Sequence, residues 1–434
     1  MKLDIIVVLA NLYFICKGFL RPYYFLLGYV WLGFLYPQGF LDPSFARLPF
    51  SLVFGILAIL GYVVLDRRPL PRFTTVFLLL VLFALWVTCT TYFWAEVPEA
   101  AETKWNWAIK AICMPLFMPF LLRTRREIES TFLVVFFALS AHIGTAAAKA
   151  LTGGGGYGVL ATLVRDNTYL GESSTLATVT VMSLPLAMYI GLYSLCIHAI
   201  PFRRISLTGY HLIAVGAIVG TSARTGLVAL GAYVLLAVRS FWKKALLAGS
   251  VVAIGYMLLP YMPAWWTSRM QTIQTYDTET SAASRLDVWH WTWEYVKTHP
   301  LGGGFDVYRI NGLVPSTTGP PSGMAFHNIY FETLGEQGFV GSGLYILIIA
   351  GVLIGSFRLA KHEDGGDEWV PRAARTVFTM TAIFAVGGSF IGVAYQPIGF
   401  TLFGTYLSLR QFVTERAREQ EQQAAQHESL ACQV

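Results

Sequence analysis

The sequence predicts an all-α polytopic membrane protein, and composition, segment length and charge placement each indicate this fold class. Hydrophobic residues make up 55% of the 434 positions and charged residues only 13%. One water-soluble core cannot hide that much apolar side chain. Apolar stretches such as 73–94, 132–148 and 174–197 approach or exceed the ~18 residues that cross a bilayer as a helix. We therefore expect the surplus apolar surface to face lipid.

Apolar segments recur along the chain and predict about twelve or thirteen membrane helices. They fall near residues 4–19, 23–40, 47–65, 72–94, 105–122, 130–150, 173–199, 206–222, 225–239, 245–262, 327–356, 376–395 and 396–411.

Short clusters of Lys and Arg separate these segments, and such clusters mark the cytoplasmic side of a membrane protein. Their alternation places 95–104, 151–172, the turn at 221–225 and the long segment 263–326 outside. The orientation of the N-terminus stays open. We divide the chain into an N-terminal bundle (1–262), an outer loop (263–326), C-terminal membrane helices (327–411) and a cytoplasmic tail (412–434).

The outer loop is far longer than a connector needs, and long loops are usually functional or disordered. Residues 281–297 predict a helix that ends at His299-Pro300, with Trp289 and Trp293 on one face. Tryptophans can stack on sugar rings, although an interfacial aromatic belt explains others in this loop, such as Trp265, more simply.

Two classes of site are excluded by the sequence. The basic residues lie in clusters between apolar segments rather than on one soluble face, so they indicate topology and not nucleic-acid binding. The five cysteines are far apart, and the outer loop contains none of them. We predict neither a disulfide framework nor a metal site.

Three residues are candidates for catalysis. His327 begins a membrane helix at the outer interface, where an imidazole with a pKa near ~6.5 can accept a proton or simply cap the helix. Arg224 interrupts an apolar run, which indicates a polar cavity or a short outer turn. Arg285 stands beside Asp287, and a surface ion pair is the default interpretation. Lys110 is a candidate for binding an anionic lipid.

One motif makes this set more specific. A His327-Asn328 pair is followed after nine residues by Gly338-x-x-Gly341, downstream of a long outer loop. This pattern resembles the signature of the superfamily of O-antigen ligases, O-antigen polymerases and bacterial protein O-oligosaccharyltransferases. Within it, the chain is most similar to the O-glycosylation ligase of exosortase A-associated systems. The family usually has the sequence Ser-Arg-Gly around its transmembrane arginine. Here the sequence is Ala223-Arg224-Thr225-Gly226, so one residue separates the arginine from the glycine.

The resemblance implies a metal-independent glycosyltransferase in the bacterial inner membrane, with no cofactor. It would move a glycan from an undecaprenyl diphosphate carrier to a hydroxyl acceptor at the periplasmic face. Arg224 and Arg285 would hold the diphosphate, and His327 would orient or deprotonate the acceptor. The acceptor stays open between lipid A core, another glycan and a protein, so polymerase and protein-glycosylating activities remain alternatives. A lipid-linked sugar transporter and a scaffolding subunit are the rivals from other classes.

We further predict substrate contacts for Lys110, Trp289, Trp293, Asn328 and Tyr330. The expected partners are the lipid-linked donor, the hydroxyl acceptor and membrane lipids. No carboxylate pair stands out that would indicate a covalent glycosyl intermediate. Asp287, Asp306 and Glu332 are the carboxylates whose positions bear on this point.

Overall fold

The chain is mostly helical in the part that the structure describes. The computed structural model describes residues 2–42, 48–66, 68–158, 160, 162–164, 168–197, 203–238, 240, 242–246, 249, 257, 263–271, 280–315, 320–361 and 368–431. These residues form no β-strand, and their helices are α1 (Lys2–Leu20), α2 (Tyr23–Leu35), α3 (Phe50–Gly61), α4 (Thr75–Phe93), α5 (Pro98–Leu121), α6 (Arg125–Leu151), α7 (Ser173–Tyr193), α8 (Arg203–Thr221), α9 (Arg224–Ala237), α10 (Ala264–Gln271), α11 (Thr280–Thr298), α12 (Ile329–Lys361), α13 (Trp369–Gly387) and α14 (Pro397–Ala431).

Five of the described helices are long and apolar enough to cross a membrane, namely α4, α6, α7, α12 and α13, the last extended to Phe390. Two apolar helices are shorter, Phe50–Asp66 and Arg224–Ala237. The predicted all-α polytopic fold class is therefore confirmed. The predicted span at 245–262 lies largely outside the described residues.

Basic side chains gather at one end of the helical bundle. Arg68, before α4, pairs with Glu127 at the start of α6 (3.1 Å). Arg123, between α5 and α6, pairs with Glu415 of α14 (2.8 Å). Arg125 donates a hydrogen bond to the carbonyl of Tyr193 at the end of α7 (2.6 Å). We call this the basic end.

The segments predicted to lie outside meet at the opposite end of the bundle. The amide of Glu96, before α5, donates to the carbonyl of Gly303 in the outer loop (2.8 Å). The amide of Gly156, after α6, donates to the carbonyl of Gly220 near the end of α8 (2.9 Å). We call this the loop end, and the candidate site lies here.

The described part of the outer loop packs against α12. Its helix α11 matches the prediction for 281–297 and ends before Pro300, which cannot continue a helix. A small core of Val288, Val307 and Phe326 fixes the loop, with Trp289 and Phe331 packed against it. The predicted tail is a continuation of α14, which runs through residue 412 without a break.

Candidate active site at the loop end

A polar cavity of about 490 Å³ opens at the loop end. Its walls come from the starts of α5, α7 and α12, from the outer loop and from the segment before α14. The lining residues are Thr103, Lys104, Trp107, Thr168, Tyr169, Glu172, Thr175, Asp306, Tyr308, Arg309, Ala325, Phe326, His327, Glu332, Gly392, Val393, Tyr395 and Gln396. His327 is thus the one predicted catalytic residue in the cavity wall.

The local backbone explains the His327-Asn328 pair. His327 has a φ of 47°, in the left-handed region that few non-glycine residues adopt. Asn328 then caps α12, because its Oδ1 accepts from the amides of Tyr330 (2.8 Å) and Phe331 (3.2 Å). Its Nδ2 donates to the carbonyl of Ser389 (3.0 Å). The histidine therefore stands at a sharp turn that the cap holds in place, and such strain is common at functional sites.

Tyr330 ties this helix start to α13. Its hydroxyl donates to the carbonyl of Ala385 (2.9 Å). Asn328 and Tyr330 thus use their polar atoms on protein partners that position His327. Direct contact of either side chain with substrate stays a prediction.

The surroundings of His327 favour its neutral form. Partial burial lowers the pKa of the imidazole below its usual 6.5, and the nearby guanidinium of Arg285 lowers it further. Glu172 and Glu332 act in the opposite direction. The net lowering leaves the ring neutral at pH 7, which is the form that can accept a proton.

Helix α11 brings Arg285 to this neighbourhood. One turn further along, the indole Nε1 of Trp289 donates to the carbonyl of Phe326 (2.9 Å), directly before His327. The same indole stacks on Phe331, with ring centroids 5.2 Å apart and planes 1° from parallel. Trp289 therefore holds the middle of α11 against the start of α12, the helix that follows His327.

Trp289 and Trp293 differ in what they leave accessible. Trp289 packs one face against Phe331, whereas Trp293 is 47% exposed and meets Phe339 edge-on at 6.2 Å. Trp293 is thus the better placed of the two to stack on a sugar. Sugar contact remains a prediction for both.

The glycine run after α11 passes directly against a break in α12. Helix α12 is interrupted at Gly338, where φ is 64° and ψ is −167°. The amides of Gly303 and Gly304 donate to the carbonyls of Gly335 (3.0 Å) and Glu336 (2.9 Å). A Cβ on Gly302 would lie 2.4 Å from the amide nitrogen of Gly338. Glycine is required in both segments because their backbones are in direct contact, which leaves no room for a Cβ.

A buried ion cluster forms part of the cavity wall. Lys104 of α5, 8% exposed, places its Nζ 2.9 Å from Glu332 Oε1, 2.8 Å from Glu336 Oε1 and 3.4 Å from Asp306 Oδ1. Arg309 pairs with Asp306 (3.0 Å). Glu332 and Glu336 therefore share the Lys104 ammonium, and Asp306 lies between Lys104 and Arg309.

Arg224 begins α9 at the same end of the bundle. The preceding turn has Ser222 in the left-handed region (φ 51°), and the amide of Ala223 donates to the Thr221 hydroxyl (3.2 Å). Two residues on, a Cβ at Gly226 would lie 2.9 Å from Ala177 in the second turn of α7. Arg224 is therefore level with the start of α7, which lines the cavity. Its convergence with Arg285 on one diphosphate stays a prediction.

Lys110 does not line the cavity. It lies in a second, apolar groove of about 160 Å³ between α2, α3 and α5. The physical reason is helical rotation, since six residues turn the helix by about 600° and leave Lys110 about 120° away from Lys104 in direction. The lysine that the cavity contains is Lys104.

Comparison with known protein families gives two matches. Residues 2–194 match a family of unknown function (DUF5935). Residues 210–346 match the family described as O-Antigen ligase. This part of the chain is therefore similar to the O-antigen ligase family. A comparison with curated proteins gave no match.

The region that matches the O-antigen ligase family contains Arg224, Arg285 and His327, together with the carboxylates of the ion cluster. Lys104 comes from the first matched region. The cavity therefore lies where the two matched regions meet. The match over 210–346 supports the resemblance to the ligase superfamily, whereas the exosortase-associated subtype stays a prediction.

Sequence reasoning did not find Lys104 or Glu336 as parts of this site. Glu332 and Asp306 were noted only as carboxylates of interest. Glu332 and Glu336 are four residues apart on a helix, so they share one face, and a carboxylate pair within a membrane segment is costly without a cation. That spacing was the available signal. Asp287, the third carboxylate noted, is exposed on α11.

Among the described residues, no group of three or more His, Cys, Asp or Glu side chains is arranged to hold a metal ion. The carboxylates of the ion cluster instead surround the Lys104 ammonium. The Lys104 ammonium lies among these three carboxylates, in the position that a metal cation would otherwise take.

Proposed function

We propose that this protein is a periplasm-facing glycosyltransferase that moves a glycan from a polyprenyl diphosphate carrier to a hydroxyl acceptor. The observation that carries the proposal is the placement of His327 in a large polar cavity, close to Arg285, within the region that matches the O-antigen ligase family. A neutral imidazole and a guanidinium at one cavity are what attack by a hydroxyl on a diphosphate-activated sugar requires.

The orientation follows from the charges at the two ends of the bundle. Arginines gather at the basic end, and basic clusters in membrane proteins lie on the cytoplasmic side. The cavity is at the loop end, so we place it on the periplasmic side of a bacterial inner membrane. A lipid diphosphate delivered to the outer leaflet would then reach it.

Charge also separates the donor from the acceptor. In the wall formed by Lys104, Glu332, Glu336 and Asp306, the ammonium of Lys104 is already paired with the carboxylates and is not available to a diphosphate. The opposite approach, from Arg285 and the Arg224 turn, offers guanidinium groups that fit phosphate oxygens. We therefore propose that the diphosphate binds on the arginine side and that the acceptor approaches His327 from the cavity.

The transfer needs one displacement at the anomeric carbon. The acceptor oxygen forms the new bond to that carbon while the bond to the carrier phosphate breaks. The acceptor proton goes to His327, and the electron pair of the broken bond stays on the diphosphate, where the arginines stabilise it. Such direct displacement inverts the anomeric configuration. The imidazolium then returns its proton to water, which restores the base.

Lys110 and its groove suggest where the carrier chain lies. Thr103, Trp107, Lys110 and Met114 fall within about 60° of one another around α5, because they repeat at intervals of three and four residues. The first two line the cavity and the last two line the apolar groove. We propose that a polyprenyl chain occupies this groove, where Lys110 is the basic residue in its lining.

The test of the function is transfer by purified protein in nanodiscs, with a polyprenyl-diphosphate-linked glycan as donor and His327→Asn as the variant. Asparagine tolerates the left-handed backbone that His327 adopts, so the turn should fold. Loss of the base should lower the transfer rate by ~10²–10⁴. Matched yield and thermal unfolding provide the control for folding. Near-normal transfer by His327→Asn would exclude the base role.

A further inference from the structure

Glu332 and His327 line the same part of the cavity, beside Gly392. A Cβ placed on Gly392 would lie 3.7 Å from Glu332 Oε2, 3.8 Å from the amide nitrogen of His327 and 3.9 Å from its Cα. Because residue 392 is glycine, its own side chain does not fill this space. The carboxylate and the backbone that carries the imidazole thus border the same space beside Gly392, and both residues line the cavity.

Two contacts hold the Glu332 carboxylate in place. Its Oε1 pairs with Lys104 Nζ (2.9 Å) and its Oε2 accepts from the amide of Ala394 (3.1 Å). The contacts come from α5 and from the segment before α14, so the side chain is fixed from two directions. A fixed charge costs little reorganisation when a reaction develops the opposite charge nearby.

Several charged groups face His327, from different elements. Arg285 of α11 opposes a positive charge on the ring, while Glu172 and Glu332 favour one. Glu172 uses its carboxylate to cap α7, where it accepts from the amides of Ser174 (3.2 Å) and Thr175 (2.7 Å). Glu332 is therefore the carboxylate near His327 that does not cap a helix.

The remaining charged groups of the cavity pair among themselves. Lys104 contacts Glu332, Glu336 and Asp306, and Arg309 contacts Asp306. Glu336 is fully buried behind the wall and does not line the cavity, whereas Glu332 does. The two glutamates thus share one lysine, but only Glu332 also faces the histidine side.

We propose that Glu332 is a positioning residue whose carboxylate, held by Lys104, stabilises the imidazolium that forms when His327 takes the proton of the acceptor hydroxyl. This inference rests on the proposed function. The proton stays on the imidazole, and Glu332 acts through charge while remaining bound to Lys104. The negative charge of Glu332 also offsets the positive charge of Arg285, which binds the diphosphate but disfavours a positive charge on the His327 ring.

The matched pair of variants is Glu332→Gln and Glu336→Gln. Each removes one carboxylate from Lys104, but only the first removes a carboxylate that faces His327. Glu332→Gln should lower kcat/KM by roughly tenfold or more, because a fixed negative charge that lines the same cavity stabilises a cation that develops there. In the double variant Glu332→Gln/His327→Asn, the loss should be close to that of His327→Asn alone, because residues that act as a unit are non-additive.

A second readout does not depend on transfer. Diethyl pyrocarbonate modifies neutral imidazole, so the modified fraction of the peptide that contains His327, followed by mass spectrometry against pH, reports the titration of this residue. Glu332→Gln should move the half-modification point to lower pH, and Glu336→Gln should leave it unchanged. Glu332→Asp, which keeps the charge, should restore part of the wild-type profile.

The outcomes separate the two proposals. If the wild-type protein transfers no glycan but the Glu332→Gln titration shifts, the proposed function fails and the charge pairing stands. If the wild-type protein is active and the titration of His327 is the same in both glutamine variants, the positioning role is wrong. Equal shifts in both variants would also overturn it, because they would indicate a general effect of the ion cluster.

Discussion

The buried ion cluster allows a sharp test of what holds the loop end together. Lys104 is 8% exposed and lies within 3.4 Å of three carboxylates from the outer loop and α12. Lys104→Met keeps the length of the side chain but removes the charge. Glu332, Glu336 and Asp306 would then be crowded together without their shared cation.

The expected cost is large for a single substitution. Breaking a buried ion pair by removing one partner typically costs ~3–5 kcal/mol, because the remaining charge is buried and uncompensated. With an unfolding entropy of about 2.1 cal/mol/K per residue, each kcal/mol corresponds to roughly 1 °C in a chain of this length. We therefore expect Lys104→Met to lower Tm by about 3–5 °C.

The assay is intrinsic tryptophan fluorescence during heating of the protein in nanodiscs, and the chain supplies a matched control. Lys110 is on the same helix and is exposed, so Lys110→Met should change Tm by less than about 1 °C. The double variant Lys104→Met/Glu336→Gln should recover part of the loss, since it removes one of the stranded carboxylates. A Tm for Lys104→Met that equals the Tm of Lys110→Met would refute the role assigned to this cluster.

Three further predictions concern the reaction itself. Because burial and Arg285 lower the pKa of His327, kcat/KM should stay level as the pH falls through 6.5 and decline only below it; an acid limb above pH 6.5 would contradict the assignment of the base. Arg224→Lys and Arg285→Lys should each lose most activity despite the conserved charge, since lysine cannot form the bidentate contact, and wild-type rates in both would return these arginines to structural roles. Lys110→Ala should raise KM for a donor with a full-length polyprenyl chain more than for a short-chain donor, and equal KM changes for the two would argue against a carrier chain in the groove.

Much of the fold and part of the site can be predicted from the sequence. Apolar segments of bilayer length have only one way to satisfy their backbone hydrogen bonds in lipid, so the all-helical fold follows from composition and spacing. The loop helix over 281–297 follows from residue propensity and a terminating proline. His327 follows from a polar residue that opens an apolar segment in a recognisable motif.

Tertiary structure alone decided which charges meet. Lys104 and Lys110 look equivalent along the chain, yet helical rotation about α5 sends one to the ion cluster and the other to an apolar groove. Lys104 and Glu336 are 232 positions apart, and their pairing depends on how α5 packs beside α12. Local patterns such as helical period and capping act over a few residues, whereas an ion pair depends on the distance between side chains in space.

The glycine run shows the same division. The sequence alone indicates that Gly302, Gly303 and Gly304 permit a tight turn. Only the folded chain shows that they lie against the break in α12 at Gly338 and donate hydrogen bonds to its carbonyls. The sequence thus determined which residues are conformationally free or chemically competent. The packing of α12 against the outer loop and α5 determined which of them share one cavity, because contact between distant segments is a property of the whole fold.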